Sequence, residues 1–155
     1  MDEVAEALKG SPLFAGFTDV GLKILGAVAQ PRHVTDGQPV YLEGETGDAL
    51  FVVRSGEVSV CLRDGDAEVE IGRLGAGETF GELALVSAGP RLTSVYAMGQ
   101  VELLAIPRRD FGKLQRKKPQ ACLKLLLAVV AKLGRELGES RDAWREVLLT
   151  AARGG

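Results

Sequence analysis

The stretch Phe80-Gly81-Glu82-Leu83-Ala84-Leu85-Val86, continued by Ser87-Ala88-Gly89-Pro90-Arg91-Leu92-Thr93-Ser94, decides how this chain is read. One glutamate and one arginine stand in an otherwise small and apolar run. Gly81 has no Cβ, so a ligand can approach the backbone closely there. Glu82-Leu83-Ala84-Leu85 reads as a single helical turn, and the N-terminus of such a turn presents free N–H groups that suit a phosphate. Pro90 fixes the chain before Arg91, whose planar fork grips two phosphate oxygens. No other basic residue lies between Phe80 and Ala97. Glu82, once ionised, only accepts hydrogen bonds and so suits a sugar hydroxyl. A phosphate grip beside a ribose acceptor is what a small nucleotide needs.

The run from Phe80 to Ala97 resembles the phosphate-binding cassette of cyclic nucleotide-binding domains, found in catabolite activator proteins, protein kinase A regulatory subunits and cyclic-nucleotide-gated channels. The resemblance covers roughly residues 12 to 140. It implies an α+β fold: an eight-stranded β jelly-roll barrel flanked by N-terminal helices and a long C-terminal helix. It also implies the ligand, cAMP or cGMP, with no other cofactor. Arg91 would hold the cyclic phosphate with backbone N–H groups near Gly81, Leu83 and Ala84, and Glu82 the ribose 2′-hydroxyl. Val60, Val69 and Ile71 would pack on base and sugar. Most members carry a small or hydroxylated residue after the arginine; here Leu92 stands there, with Thr93 next. By position on the long helix, Glu136 would reach the base, or else be a solvated helix position.

Size and composition agree with one domain. With 155 residues and 46% hydrophobic side chains, a full core is expected, and 5% aromatics makes that core aliphatic. A net charge of −2 gives no global field toward nucleic acid. Cys61 and Cys122 have no metal-ligand spacing and read as buried small hydrophobes in a reducing, cytoplasmic compartment. The start, Met1-Asp2-Glu3, lacks an apolar signal core, and the apolar run Leu125 to Ala131 is too short to span a bilayer.

Residues 1–30 read as N-terminal helices: one over 2–9 ended by Gly10, a proline-started turn capped by Ser11, and one capped by Thr18 running to about Ala29. That last helix shows Val20, Ile24, Leu25 and Val28 on one face. Residues 31–107 are punctuated by glycines and read as the barrel. Its clearest hairpin is Glu57 to Leu74 around Asp64-Gly65, with Val69 and Ile71 facing inward. Further strands are expected at Val40–Leu42, Leu50–Val53, Leu92–Ala97 and Val101–Ile106. Residues 108–150 read as a short helix, Arg108 to Lys117, and a long one from Pro119 to about Leu149.

Other chemistries find little support. A cupin-type metal enzyme needs several His and carboxylate ligands, and His33 is the single histidine. No serine or cysteine neighbours a base, so no enzyme is expected. The acidic loop Glu43 to Asp48 lacks an EF-hand pattern and reads as a solvated turn. Arg108, Arg109, Lys113, Arg116, Lys117 and Lys118 read as a solvated helix face. Too few residues follow the long helix for a helix-turn-helix, so no direct DNA binding is expected. The long helix itself carries an a/d seam. Leu123, Val130, Leu137 and Trp144 recur at sevens, Leu126, Leu133 and Val147 fill most d positions, and Ser140 interrupts. A homodimer through this helix and an unidentified effector partner are the expectation. The alternative is a ligand-free interaction module of the same fold, which usually lacks the glutamate or the arginine.

Overall fold

The computed structural model describes residues 2–154; Met1 and Gly155, the outer bounds of the single domain expected above, lie outside the described residues. Helix α1, Glu3–Lys9, starts where Asp2 Oδ1 accepts from the Ala5 N–H at 2.7 Å, which satisfies one of the free donors of the first turn. A 3-10 turn, Pro12–Phe14, follows with proline at its first position, but Ser11 makes no side-chain cap bond and its buried Oγ has no partner. Helix α2, Asp19–Gly26, is capped by Thr18 as expected. It is shorter than the sequence suggested and buries Leu22 and Leu25, leaving Val20 68% exposed.

Among the described residues the sheet has six strands, not eight, and does not close: β1 (Gln30–Val34), β2 (Pro39–Tyr41), β3 (Ala49–Asp64), β4 (Ala67–Leu74), β5 (Thr79–Phe80) and β6 (Ser94–Pro107). The order is β1-β6-β3-β4, with β2 also on β6 and β5 also on β3, all antiparallel. The count falls because runs read as separate strands are continuous. Leu50–Val53 and Val58–Leu62 are both β3; Val95–Ala97 and Val101–Ile106 are both β6. Their junctions are bulges, with register shifts between Val53 and Ser55 and between Ser55 and Glu57. A bulge bends a strand without ending it. At this corner Gly56 has φ +89°, and a Cβ there would lie 2.5 Å from the Gln100 carbonyl oxygen, so only glycine fits.

The strict alternation of a strand gives each long strand two cores. Leu50 and Val52 of β3, with Leu104 and Ile106 of β6, pack toward the helices with Leu8, Phe14, Leu22 and Leu25. Ala49, Phe51 and Val53, with Val101, Leu103 and Ala105, face the other way, with Phe80, Val95 and the half-buried Tyr41 and Val60. Helix α3, Arg108–Lys117, matches its expected bounds and buries Phe111. The long helix does not run unbroken to Leu149. Helix α4, Pro119–Glu139, stops at Ser140, whose φ −95° and ψ 14° leave the helical well, and α5, Arg141–Ala152, begins after it. Helix α4 buries Cys122, Leu125 and Val129; α5 buries nothing.

Candidate functional site

The Phe80–Ser94 stretch wraps over one end of the inward core. Strand β5 pairs with β3 through Phe80 and Phe51, whose rings stack at 5.3 Å. Gly81 then turns the chain at φ +74°. That conformation favours glycine, and there is a second reason for it: a Cβ would lie 2.7 Å from Arg91 Nη1. Glu82–Leu85 forms the expected single turn, of 3-10 type. Its Leu85 enters the helix-side core, to which Leu125 and Val129 of α4 also belong.

Arg91 is only 7% exposed. Its Nη2 donates to the Ala49 carbonyl at 2.9 Å and its Nη1 to the Gly81 carbonyl at 3.2 Å. Its guanidinium lies over the Tyr41 ring, 4.0 Å from the centroid, an arrangement that favours a cation. The nearest carboxylate, Asp48, is 3.8 Å away and mostly solvated. Burial works against the Arg91 charge and lowers its pKa, with Tyr41 and Asp48 partly offsetting it. Burial likewise raises the Tyr41 phenol, against the pull of Arg91. Within the described residues Arg91 thus has one carboxylate within 4 Å, the mostly solvated Asp48.

Glu82, 7% exposed, accepts at Oε1 from Thr79 Oγ1 at 2.9 Å and from Lys132 Nζ of α4 at 2.6 Å. Lys132 also donates to Glu136 Oε1 at 2.5 Å. Desolvation opposes the ammonium, but its hydrogen bonds to these two carboxylates and their negative charge outweigh that, and the Lys132 pKa is raised.

The other expected site residues are scattered in exposure. Ala84 is buried inside the turn, whereas Leu83 and Leu92 are 50% and 70% exposed. Leu92 therefore points no functional group at Arg91, and Thr93, half-buried, lies beside the Tyr41 hydroxyl. Val60 packs on the inward core. Val69 pairs with Leu62 and shares its face but is 47% exposed, and Ile71 is the unpaired extra residue of a bulge, 55% exposed. Neither is covered by the chain itself. Glu136 is held by Lys132.

Four participants escaped the sequence reading. Tyr41 is the platform under Arg91. The acidic loop is not merely a solvated turn: Gly47 is buried, its N–H donates to the Gly89 carbonyl, and a Cβ there would be 3.1 Å from Arg91 Cζ. Arg108 leaves the basic cluster altogether, and its Nη1 donates to the carbonyls of Gly47 at 2.6 Å and Ala84 at 3.0 Å, tying that loop to the turn. Lys132 is the fourth. Only the proximity of Lys132 to Glu136, one helical turn apart, was visible in the sequence.

The comparisons bear on the same residues. The family model described as cyclic nucleotide-binding domain matches residues 31–118. The cyclic AMP receptor protein of Thermus thermophilus is 36% identical over 127 residues, 81% of this chain and 59% of the relative. A cAMP-dependent protein kinase type II regulatory subunit of Drosophila melanogaster is 37% identical over 100 residues, 64% of this chain and 26% of the relative. The chain therefore spans 59% of the first relative's length and 26% of the second's, less than two thirds of either. Among solved structures, the N-terminal domain of a transcriptional regulator from Streptomyces coelicolor superposes with TM-score 0.75 at 32% identity, covering 87% of this chain and 95% of that one. With Glu82 and Arg91 both inside the matched region, this chain belongs to the cyclic nucleotide-binding domain family.

Proposed function

We propose that the chain is a non-enzymatic receptor domain that binds cAMP, with cGMP second, and signals through its C-terminal helices to a partner. The observation that carries this reading is Arg91: a buried guanidinium whose one carboxylate within 4 Å, Asp48, is mostly solvated, held at the cassette by the Gly81 and Ala49 carbonyls. A buried cation left this way favours an anion that brings its own charge. Glu82 serves as acceptor for the ribose 2′-hydroxyl, and Val60, Val69 and Ile71 offer apolar surface to sugar and base. The named functions of the Thermus and Drosophila relatives support cAMP ahead of cGMP. Buried free thiols at Cys61 and Cys122 suit a cytoplasmic setting. Among the described residues no helix is long and apolar enough to cross a membrane.

Isothermal titration with cAMP, cGMP and cyclic dinucleotides tests the reading. Saturable binding of a cyclic mononucleotide is expected. Absence of binding to all of them would leave a ligand-free interaction module of the same fold.

A homodimer is part of the proposal. Leu123, Leu127 and Val130 of α4 are 57%, 61% and 65% exposed. Across the break at Ser140, Leu137 on one side and Trp144 and Leu148 on the other line a cleft of about 680 Å³. Leu123, Val130, Leu137 and Trp144 are a positions with Leu127 and Leu148 beside them, and this side is apolar and exposed, whereas the d positions Leu126 and Leu133 pack on the chain's own core.

A further inference from the structure

The apolar stripe expected on helix α2 divides in two. Leu25 and Val28 meet the helix-side core, whereas Val20 and Ile24, one turn apart, join neither core cluster. Val20 is 68% exposed. Both line a groove of about 420 Å³ between α2 and the junction of α3 with α4. Phe17 gives the groove a floor that is itself packed on the helix-side core. The rim is cationic. Lys117 ends α3, Lys118 links the two helices, and Lys124 lies on α4 with its Nζ 5.2 Å from the Phe17 ring centroid. These three lysines are exposed, and among the described residues none of them forms an ion pair. No carboxylate lines the groove, and Asp19, next to Val20 in the chain, pairs with Lys9 instead at 3.8 Å. The first turn of α4 holds neither an acidic residue nor a side-chain cap, so nothing there offsets the positive sign.

We propose that this groove docks an acidic segment of a partner protein, with one apolar side chain seated among Phe17, Val20 and Ile24 and flanking carboxylates meeting Lys117, Lys118 and Lys124. Charge and shape select that occupant together. Partly exposed apolar side chains gain from burial only when something apolar fills the recess over them. A rim of unpaired cations then requires that the flanking groups be anionic, because a basic segment would set like charges side by side. A free phosphate would use the lysines and leave the floor wet, and every polar side chain lining the groove is exposed, so none is fixed by burial to hold one. A bilayer surface receives apolar groups that protrude; it has nothing to insert into a recess. The rim charges set encounter rate and choice of partner, while the seated side chain sets how long the complex lasts. This gives the unidentified effector of the proposed function a chemistry, and it does not depend on nucleotide binding by the cassette.

The test is a selection from a displayed library of random linear peptides on the full chain without nucleotide, so its outcome is separate from that of the nucleotide titrations. Fluorescence anisotropy then measures the recovered peptides. They should be rich in aspartate and glutamate around a leucine, isoleucine or aromatic side chain, and their binding should weaken as salt rises. Lys118→Glu combined with Lys124→Glu should weaken them about tenfold or more, since the reversed rim repels carboxylates. Val20→Ser, which removes apolar contact without changing charge, should weaken them about threefold or more. These positions are exposed, so the variants should keep the wild-type circular dichroism and thermal melt. Recovery of no peptide above a blank surface overturns the proposal, as does recovery of peptides without acidic residues or wild-type binding by the double lysine variant. Co-sedimentation with phosphatidylcholine vesicles enriched in phosphatidylserine, with no peptide recovered, gives the face to a membrane. Loss of a wild-type dimer in the double lysine variant gives it to a second copy of this chain. Either result also overturns the proposal.

Discussion

Replacing Arg91 with alanine should separate two jobs that the guanidinium does at once. The first is structural. The Ala49 carbonyl accepts from Nη2 in a buried position, and losing that donor costs about 1–3 kcal/mol of stability. The stacked contact with Tyr41 contributes about 0.5–2 kcal/mol more. The Gly81 carbonyl suffers less, because the Ala84 N–H also donates to it. A domain of ordinary stability, about 5–15 kcal/mol, survives that loss. The second job is binding. With no other basic residue between Phe80 and Ala97, an entering phosphate loses most of its hydration and gains no counter-charge from that segment in the variant. The expected loss is ~2–5 kcal/mol, roughly thirty- to several-thousand-fold in dissociation constant. Arg91→Lys should recover part of the affinity, since an ammonium restores charge without the paired fork. Urea denaturation measures the first effect, calorimetry with cAMP and cGMP the second. A folded Arg91→Ala protein with unchanged affinity for both nucleotides would remove this site and the receptor reading with it.

Gly81→Ala should weaken nucleotide binding while leaving the fold, because its Cβ would meet Arg91 Nη1 at 2.7 Å and displace it; unchanged calorimetric affinity would show that Arg91 need not sit there. Glu136→Ala should leave the cAMP-to-cGMP affinity ratio unaltered, since Lys132 already occupies that carboxylate; a shifted ratio would restore Glu136 as a reader of the base. Leu123→Asp with Val130→Asp should give a folded monomer by sedimentation at tens of micromolar, where the wild type is expected to be a dimer. A wild type already monomeric there, with or without cAMP, counts against the seam. Stability should be level through neutral pH and fall above about pH 10. The folded-state pKa values of Lys132 and Tyr41 are both raised, so their contribution is present below the ordinary values and lost as pH rises through the folded ones. Lys132→Met should flatten that alkaline slope in thermal melts, and an unchanged slope would exonerate Lys132.

What was legible in the sequence is what local chemistry decides. The caps at Asp2 and Thr18, the glycine at position 81 and the helix over Arg108–Lys117 depend on a few neighbouring residues. The strand count was not legible, because a bulge at Gly56 and a true strand end look alike until the partner register is known. The break at Ser140 had a trace in the interrupted seam. Gly134 and Gly138 each lower helix propensity by about 1 kcal/mol relative to alanine, and no tertiary contact buries α5 to offset this. Ser140 makes no side-chain cap bond, so its backbone alone marks the break. Arg108 and Lys132 were invisible for a different reason. A cationic side chain at a helix surface reads as solvated unless one knows which carbonyl or carboxylate the fold brings to it.

Donor arithmetic leaves both cassette side chains hydrogen-bonding capacity beyond the bonds they make within the protein. A guanidinium has five N–H donors. Arg91 uses one from Nη1 and one from Nη2 on backbone carbonyls, so roughly three remain for a phosphate by that inventory. Glu82 keeps Oε2 open while Oε1 is held by Thr79 and Lys132. In both groups the protein takes part of the hydrogen-bonding capacity and leaves the rest unused by the described residues. Side chains fixed in this way lose little conformational freedom on binding, which raises affinity without adding contacts. The two fixing partners also come from different places. Arg91 is held by β3 and the turn at Gly81, within the sheet end, whereas Glu82 is held in part by α4. Losing a phosphate contact should therefore weaken binding without altering how α4 sits. Replacing Glu82 should weaken binding and also remove the Lys132 tie to α4.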